Sequence, residues 1–84
     1  MKIFLSSKAD RQLRKLQKSI HEVLISRIEE LDKYPYPQGV KKLTNRPGWR
    51  IRVGDYRILY TLDEKRKELT ILSVAHRKDA YRLS

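Results

Sequence analysis

Residues 76–82 read HRKDAYR, directly after the apolar run LTILSVA, and six of the seven can carry charge or give up a proton at some pH. Histidine is the one side chain whose ordinary pKa, about 6.5, lets it exchange protons near neutrality. Arginine binds phosphate through a planar fork and stays charged, which suits it to a clamp and disqualifies it as a base. Tyrosine offers a flat ring on which a nucleobase stacks, and a phenolic proton. His76, Arg77 and Tyr81 therefore form a candidate phosphate-handling set, against the simpler reading of a solvated tail.

A second concentration of cations lies between residues 41 and 57. Lys41, Lys42, Arg46, Arg50, Arg52 and Arg57 stand there against the single anion Asp55. Arg50 and Arg52 are two apart in an alternating stretch, so both point to one side of a strand. Trp49, Ile51 and Val53 point to the other. Arg57 follows just beyond a Gly54-Asp55 turn. The two arginines of WRIRV fit the solvent face of an amphipathic strand, or a clamp for something anionic held between them and Arg57.

The elements that must position these residues follow from periodicity. MKIFLS (1–6) reads as an opening strand. Ser7 with Asp10 has the spacing of a capping box, and Ala9, Leu13, Leu16 and Ile20 make a helical stripe. Ser19 to Glu22 forms a second box, after which Leu24, Ile28 and Leu31 continue an apolar face widened by Val23 and Ile25. Two helices joined by a tight break thus fill about residues 7–34, and the prolines of YPYPQG (34–39) stop the second. The period then falls to two: WRIRV, then Tyr56, Ile58, Tyr60 and Leu62, a turn at DEKRK (63–67), and a last strand ELTILSVAH (68–76). The expected layout is β-α-α-β-β-β, an α+β domain with two N-terminal helices packed on an antiparallel sheet. In that arrangement the end of the last strand comes alongside Arg57, and His76, Arg77 and Tyr81 gather beside Arg50 and Arg52. His21 reads as an exposed first-turn residue, and Tyr34 and Tyr36 as covers for the rim of the core.

At 84 residues the chain makes one domain, spanning 1–84. It has no cysteine, which excludes disulfides and thiolate metal sites. Asp63, Glu64 and Glu68 flank a turn without metal-ligand spacing, and neither a phosphate-binding glycine loop nor a hydrolase nucleophile elbow is present. No cofactor or metal is expected. No segment approaches a membrane span, so a cytoplasmic protein is the expectation. Twenty Lys and Arg against ten Asp and Glu leave a net charge of +10. Such an excess repels itself in a compact chain and points to a polyanionic partner, nucleic acid first, or to an acidic protein that neutralises it.

Taken together, WRIRVGDYRILY (49–60) and SVAHRKDAYR (73–82) resemble the RelE family of bacterial toxins, within the wider RelE/ParE superfamily. The similarity extends through the KADRQLRKL helix opening and the YPYPQG loop that leads to KKL (41–43). It implies the β-α-α-β-β-β toxin fold. It also implies a metal-independent endoribonuclease that cuts mRNA in the ribosomal A site, and a cognate acidic antitoxin that covers the basic surface. On this likeness Arg50 and Arg52 match the basic pair of the first meander strand, Arg57 the arginine of the YR-hydrophobic-hydrophobic-Y strand, Arg77 the arginine closing the last strand, and Tyr81 the base-stacking tyrosine. Lys41, Lys42, Arg46, Lys78 and Arg82 are the expected flanking contacts to mRNA and rRNA. Better-known relatives carry lysines where this chain has Arg50 and Arg52, so the proton acceptor does not transfer and falls to His76 or Tyr81. A ParE-like inhibitor of DNA gyrase on the same fold, without chemistry, is the alternative.

Overall fold

The computed structural model describes residues 1–78 and runs β1 (Lys2–Leu5), α1 (Ser7–Arg14), α2 (Lys18–Lys33), β2 (Lys41–Lys42), β3 (Trp49–Val53), β4 (Tyr56–Asp63) and β5 (Glu68–His76). Both helices begin one or two residues from where their sequence signals placed them. Ser6, not Ser7, caps α1: its Oγ accepts the Ala9 amide at 3.0 Å. The Ser19–Glu22 box lies inside α2, whose first turn has no side-chain cap. The break between the helices is closed instead by His21, whose Nδ1–H donates at 2.9 Å to the Leu13 carbonyl, which also accepts the Leu16 amide at 3.2 Å. His21 is accordingly half-buried rather than exposed.

The five strands lie in the order β1-β5-β4-β3-β2. The meander β3-β4-β5 is antiparallel as expected, but β1 pairs parallel to β5, with Leu5 opposite Ile71. The sheet is therefore mixed. A parallel neighbour requires a crossover, and the two helices supply it while covering one face. The short edge strand β2, with Lys41 opposite Arg50 and Lys42 opposite Trp49, was not legible beforehand.

The core lies between that face and the helices. Ala9, Leu13, Leu24, Ile28 and Leu31 pack on Ile51, Ile58, Tyr60, Leu69, Ile71 and Val74, with Trp49, Val53 and Tyr56 against its margin. Burying each large aliphatic side chain here contributes roughly 1.5–3 kcal/mol. At the rim the Tyr60 hydroxyl donates to the Pro35 carbonyl at 2.6 Å, and the Tyr36 ring meets Trp49 edge-on at 5.1 Å between centroids. Tyr34 is largely exposed.

One irregularity in β5 governs everything downstream. Tyr60 pairs with Ile71 but Leu59 pairs with Ser73, so Leu72 is an extra residue, a β-bulge. Beyond Ile71 strand β1 has ended, and the outer edge of β5 is taken over by α1. Ser6 Oγ donates to the Leu72 carbonyl and the Val74 amide donates to Gln12 Oε1, each at 2.7 Å. The bulge flips the alternation. Leu69 and Ile71 face the helices before it, and Val74 and His76 after it.

Candidate nucleic-acid interface

The face of the sheet away from the helices holds a groove of about 640 Å³ lined by Lys8, Leu43, Thr44, Arg46, Arg50, Arg57, Leu59, Leu72, Ser73 and Ala75. Its floor is β5 and β4: Ser73 lies opposite Leu59, and Ala75 opposite Arg57. One bank is Lys8, in the first turn of α1, brought there because Ser6 is tied to Leu72. The other bank is Arg50 of β3 and the 43–48 loop that carries Arg46. That loop is held tight, with the Leu43 amide donating to the Gly48 carbonyl at 3.0 Å. Gly48 sits at φ +128°, and a Cβ there would come within 2.9 Å of both Leu43 Cδ1 and the Tyr60 carbonyl oxygen. Glycine is what allows Leu43 to stand as a groove wall.

Among the described residues four cations and no carboxylate line this space. Arg52 extends the cationic face toward the β3–β4 turn: it is exposed and directly opposite Arg57. Like charges facing each other across a strand pair are destabilising, and an anion between them reverses the sign. Lys41, opposite Arg50, shares this face, whereas Lys42, opposite Trp49, lies on the other. Arg77 is exposed at the same end of the sheet, its amide donating to the Asp55 carbonyl at 2.8 Å, and Lys78 is exposed beside it. Tyr81 and Arg82 lie outside the described residues.

His76 does not join the arginines. Its strand partner is Tyr56, whose ring it meets edge-on at 5.3 Å on the helix-covered side. Its Nδ1 accepts the Lys78 amide at 3.2 Å, so the neutral ring carries its proton on Nε2. The expectation that His76 stands among the arginines failed because the bulge at Leu72 shifted its parity by one residue. Among the described residues no group of His, Asp or Glu is arranged to hold a metal ion, and no helix is long and apolar enough to cross a membrane.

Residues 3–81 match the family described as "ParE toxin of type II toxin-antitoxin system, parDE". The chain belongs to this toxin family. Solved structures place its fold in the RelE/ParE superfamily. The toxin resembles a chain of the RelBE2 toxin–antitoxin complex of Mycobacterium tuberculosis, at 27% identity over 89% of this chain and 95% of that one, with a TM-score of 0.80. It is similar to a chain of the archaeal RelE–RelB complex of Pyrococcus horikoshii, at 26% identity over 90% and 93% of the two chains and a TM-score of 0.80. Isolated RelE of Escherichia coli, at 19% identity over 99% and 98% of the chains and a TM-score of 0.77, shares the fold. No curated protein sequence matches the toxin.

Of the toxin's candidate residues, Arg46, Arg50 and Arg57 line the groove, with Arg52 and Lys41 on the same face. Sequence reasoning missed Lys8, Ser73 and the apolar floor. Ser73 had a weak signal, as the one polar residue inside ILSVA. Lys8 had none, since its position depends on a contact between residues 66 apart.

Proposed function

We propose that this toxin is a ribosome-dependent endoribonuclease that cuts mRNA in the A site and so stops translation. The observation that carries the reading is the groove: four cations around a largely apolar floor, with no carboxylate among the described residues, on the side of the sheet away from the helices. Arg50, Arg52, Arg57 and Arg77 hold the scissile phosphate and stabilise the charge that accumulates as the 2′-oxygen attacks phosphorus. The new oxygen–phosphorus bond forms, the bond to the 5′-oxygen breaks, and the products are a 2′,3′-cyclic phosphate and a 5′-hydroxyl. The phenolate form of Tyr81, the candidate acceptor left once His76 faces the helices, takes the 2′-hydroxyl proton, and a solvent water protonates the departing 5′-oxygen. Lys41, Arg46, Lys78 and Arg82 contact flanking mRNA and rRNA. Lys42, on the opposite face, is outside the cleft. A cognate acidic antitoxin covers the cationic face, as the toxin–antitoxin complexes of its structural relatives suggest.

One observation favours a second reading. The matching family is that of ParE, and the described groove contains no histidine, which fits a toxin that binds DNA gyrase without chemistry. In-vitro translation followed by primer extension separates the two. Cuts within codons that require translating ribosomes and disappear with Arg57→Ala support the nuclease. Intact mRNA, together with inhibited supercoiling, overturns it.

A further inference from the structure

We infer that Lys8 and Ser73 are substrate-binding residues, and that the groove between them and Arg50 takes an unstacked nucleotide of a single strand. The inference deepens the nuclease reading and rests on it. Ser73 is 8% exposed and lies on the groove floor, and its hydroxyl takes no protein hydrogen bond among the described residues and stays open to the groove. A hydroxyl that opens into a cationic groove and is not spent on a protein partner is free to donate to a phosphate or sugar oxygen held there. Lys8 faces it from the α1 side, and Arg46 and Arg50 from the β3 side. The two banks are separated by the β5-β4-β3 floor, which is two strand spacings, or about 10 Å.

Most of the floor between them is hydrocarbon, Leu59, Leu72 and Ala75 beside Ser73 and Arg57, with Leu43 as a side wall. Cations on both banks and hydrocarbon below suit a base lying flat with its phosphates reaching outward. A paired base cannot occupy such a place without leaving its stack, whereas a single strand offers splayed bases at little cost. The volume of about 640 Å³ falls within the small-ligand range and has no room for a duplex. The bulge contributes directly. It turns Ser73, rather than Val74, toward the groove, and the same Ser6 that binds the bulge carbonyl starts the helix that bears Lys8.

The experiment is fluorescence anisotropy with a 2′-O-methyl RNA hexamer, which cannot be cleaved, titrated over a range of salt concentrations. A lysine that contacts phosphate contributes about 0.7 to the salt slope on a single strand. Lys8→Gln is expected to reduce the slope by that amount, and Lys8→Arg to retain it. Ser73→Ala is expected to weaken binding about tenfold with the slope unchanged, as loss of an uncharged donor to phosphate should. Ser73→Thr, which keeps the hydroxyl, is expected to bind like the unmodified toxin. If both Lys8→Gln and Ser73→Ala bind unchanged while Arg50→Ala binds weakly, this inference is overturned and the nuclease reading stands. If the unmodified toxin does not bind the hexamer at all, this inference falls, while the nuclease reading still stands or falls on the translation assay.

Discussion

His76 and Tyr56 meet edge to face at 5.3 Å on the helix-covered side of the sheet, while Arg57, one residue on from Tyr56, faces the groove. The contact gives His76 a structural occupation. It closes the open end of the core beside Tyr56 and accepts the Lys78 amide, fixing where the chain leaves β5.

His76→Asn retains a side-chain acceptor for the Lys78 amide and removes the imidazole. Ribosome-dependent cleavage by this variant is expected to stay within about threefold of the unmodified toxin, with the same pH profile. A loss of 100-fold or a displaced acid limb would restore His76 to the reaction.

Gln12 holds the bulge through the Val74 amide at 2.7 Å. Gln12→Ala leaves that amide without its acceptor at a part-buried position and is expected to lower unfolding stability by about 1–3 kcal/mol in urea denaturation. Gln12→Glu, which keeps an oxygen in place, should recover most of the loss. Equal stability of all three proteins would show that water replaces Gln12 at no cost.

Gly48→Ala confronts a φ of +128° as well as contacts of 2.9 Å with Leu43 Cδ1 and the Tyr60 carbonyl. The Tyr60 oxygen belongs to the sheet and cannot move aside. A destabilisation of about 1–3 kcal/mol is expected, with weaker binding of the RNA hexamer as the 43–48 wall shifts. Urea unfolding and anisotropy on the same preparation measure both effects.

Burial raises the Tyr60 phenol to about 12, with the neighbouring Tyr36 adding to the shift. The folded value lies above the ordinary 10, so the stabilisation is complete below pH 10 and is lost as pH rises from 10 toward 12. Integrated over that window the loss is about 2 kcal/mol. Tyr60→Phe removes the hydrogen bond to Pro35 and is expected to cost about 1 kcal/mol at pH 7. It should also flatten the alkaline decline. An unaltered decline between pH 10 and 12 would place its origin elsewhere.

Much of the architecture was written in local pattern. The helical stripe through Ala9 and Leu13, the prolines after Lys33 and the alternation of WRIRV and YRILYTL each report which side of an element meets hydrocarbon, and burial enforces that pattern residue by residue. For the same reason the cationic face was legible: Arg50 and Arg52 are two apart on one strand, and the short turn at Gly54-Asp55 sets Arg57 opposite Arg52. The net charge of +10 is read the same way, and the polyanion it points to belongs to the proposed function.

Tertiary structure decided what depends on register between distant segments. Nothing local in ELTILSVAH marks Leu72 as an extra residue, because Leu, Ser, Val and Ala there satisfy either parity. The bulge forms because α1 offers Ser6 and Gln12 to the edge of β5 where β1 stops, a pairing across more than 60 residues. That one-residue slip sends His76 to the core side and turns Ser73 to the groove. The same contact delivers Lys8, so alternation could name the arginines of this site while long-range packing chose the residues that stand opposite them.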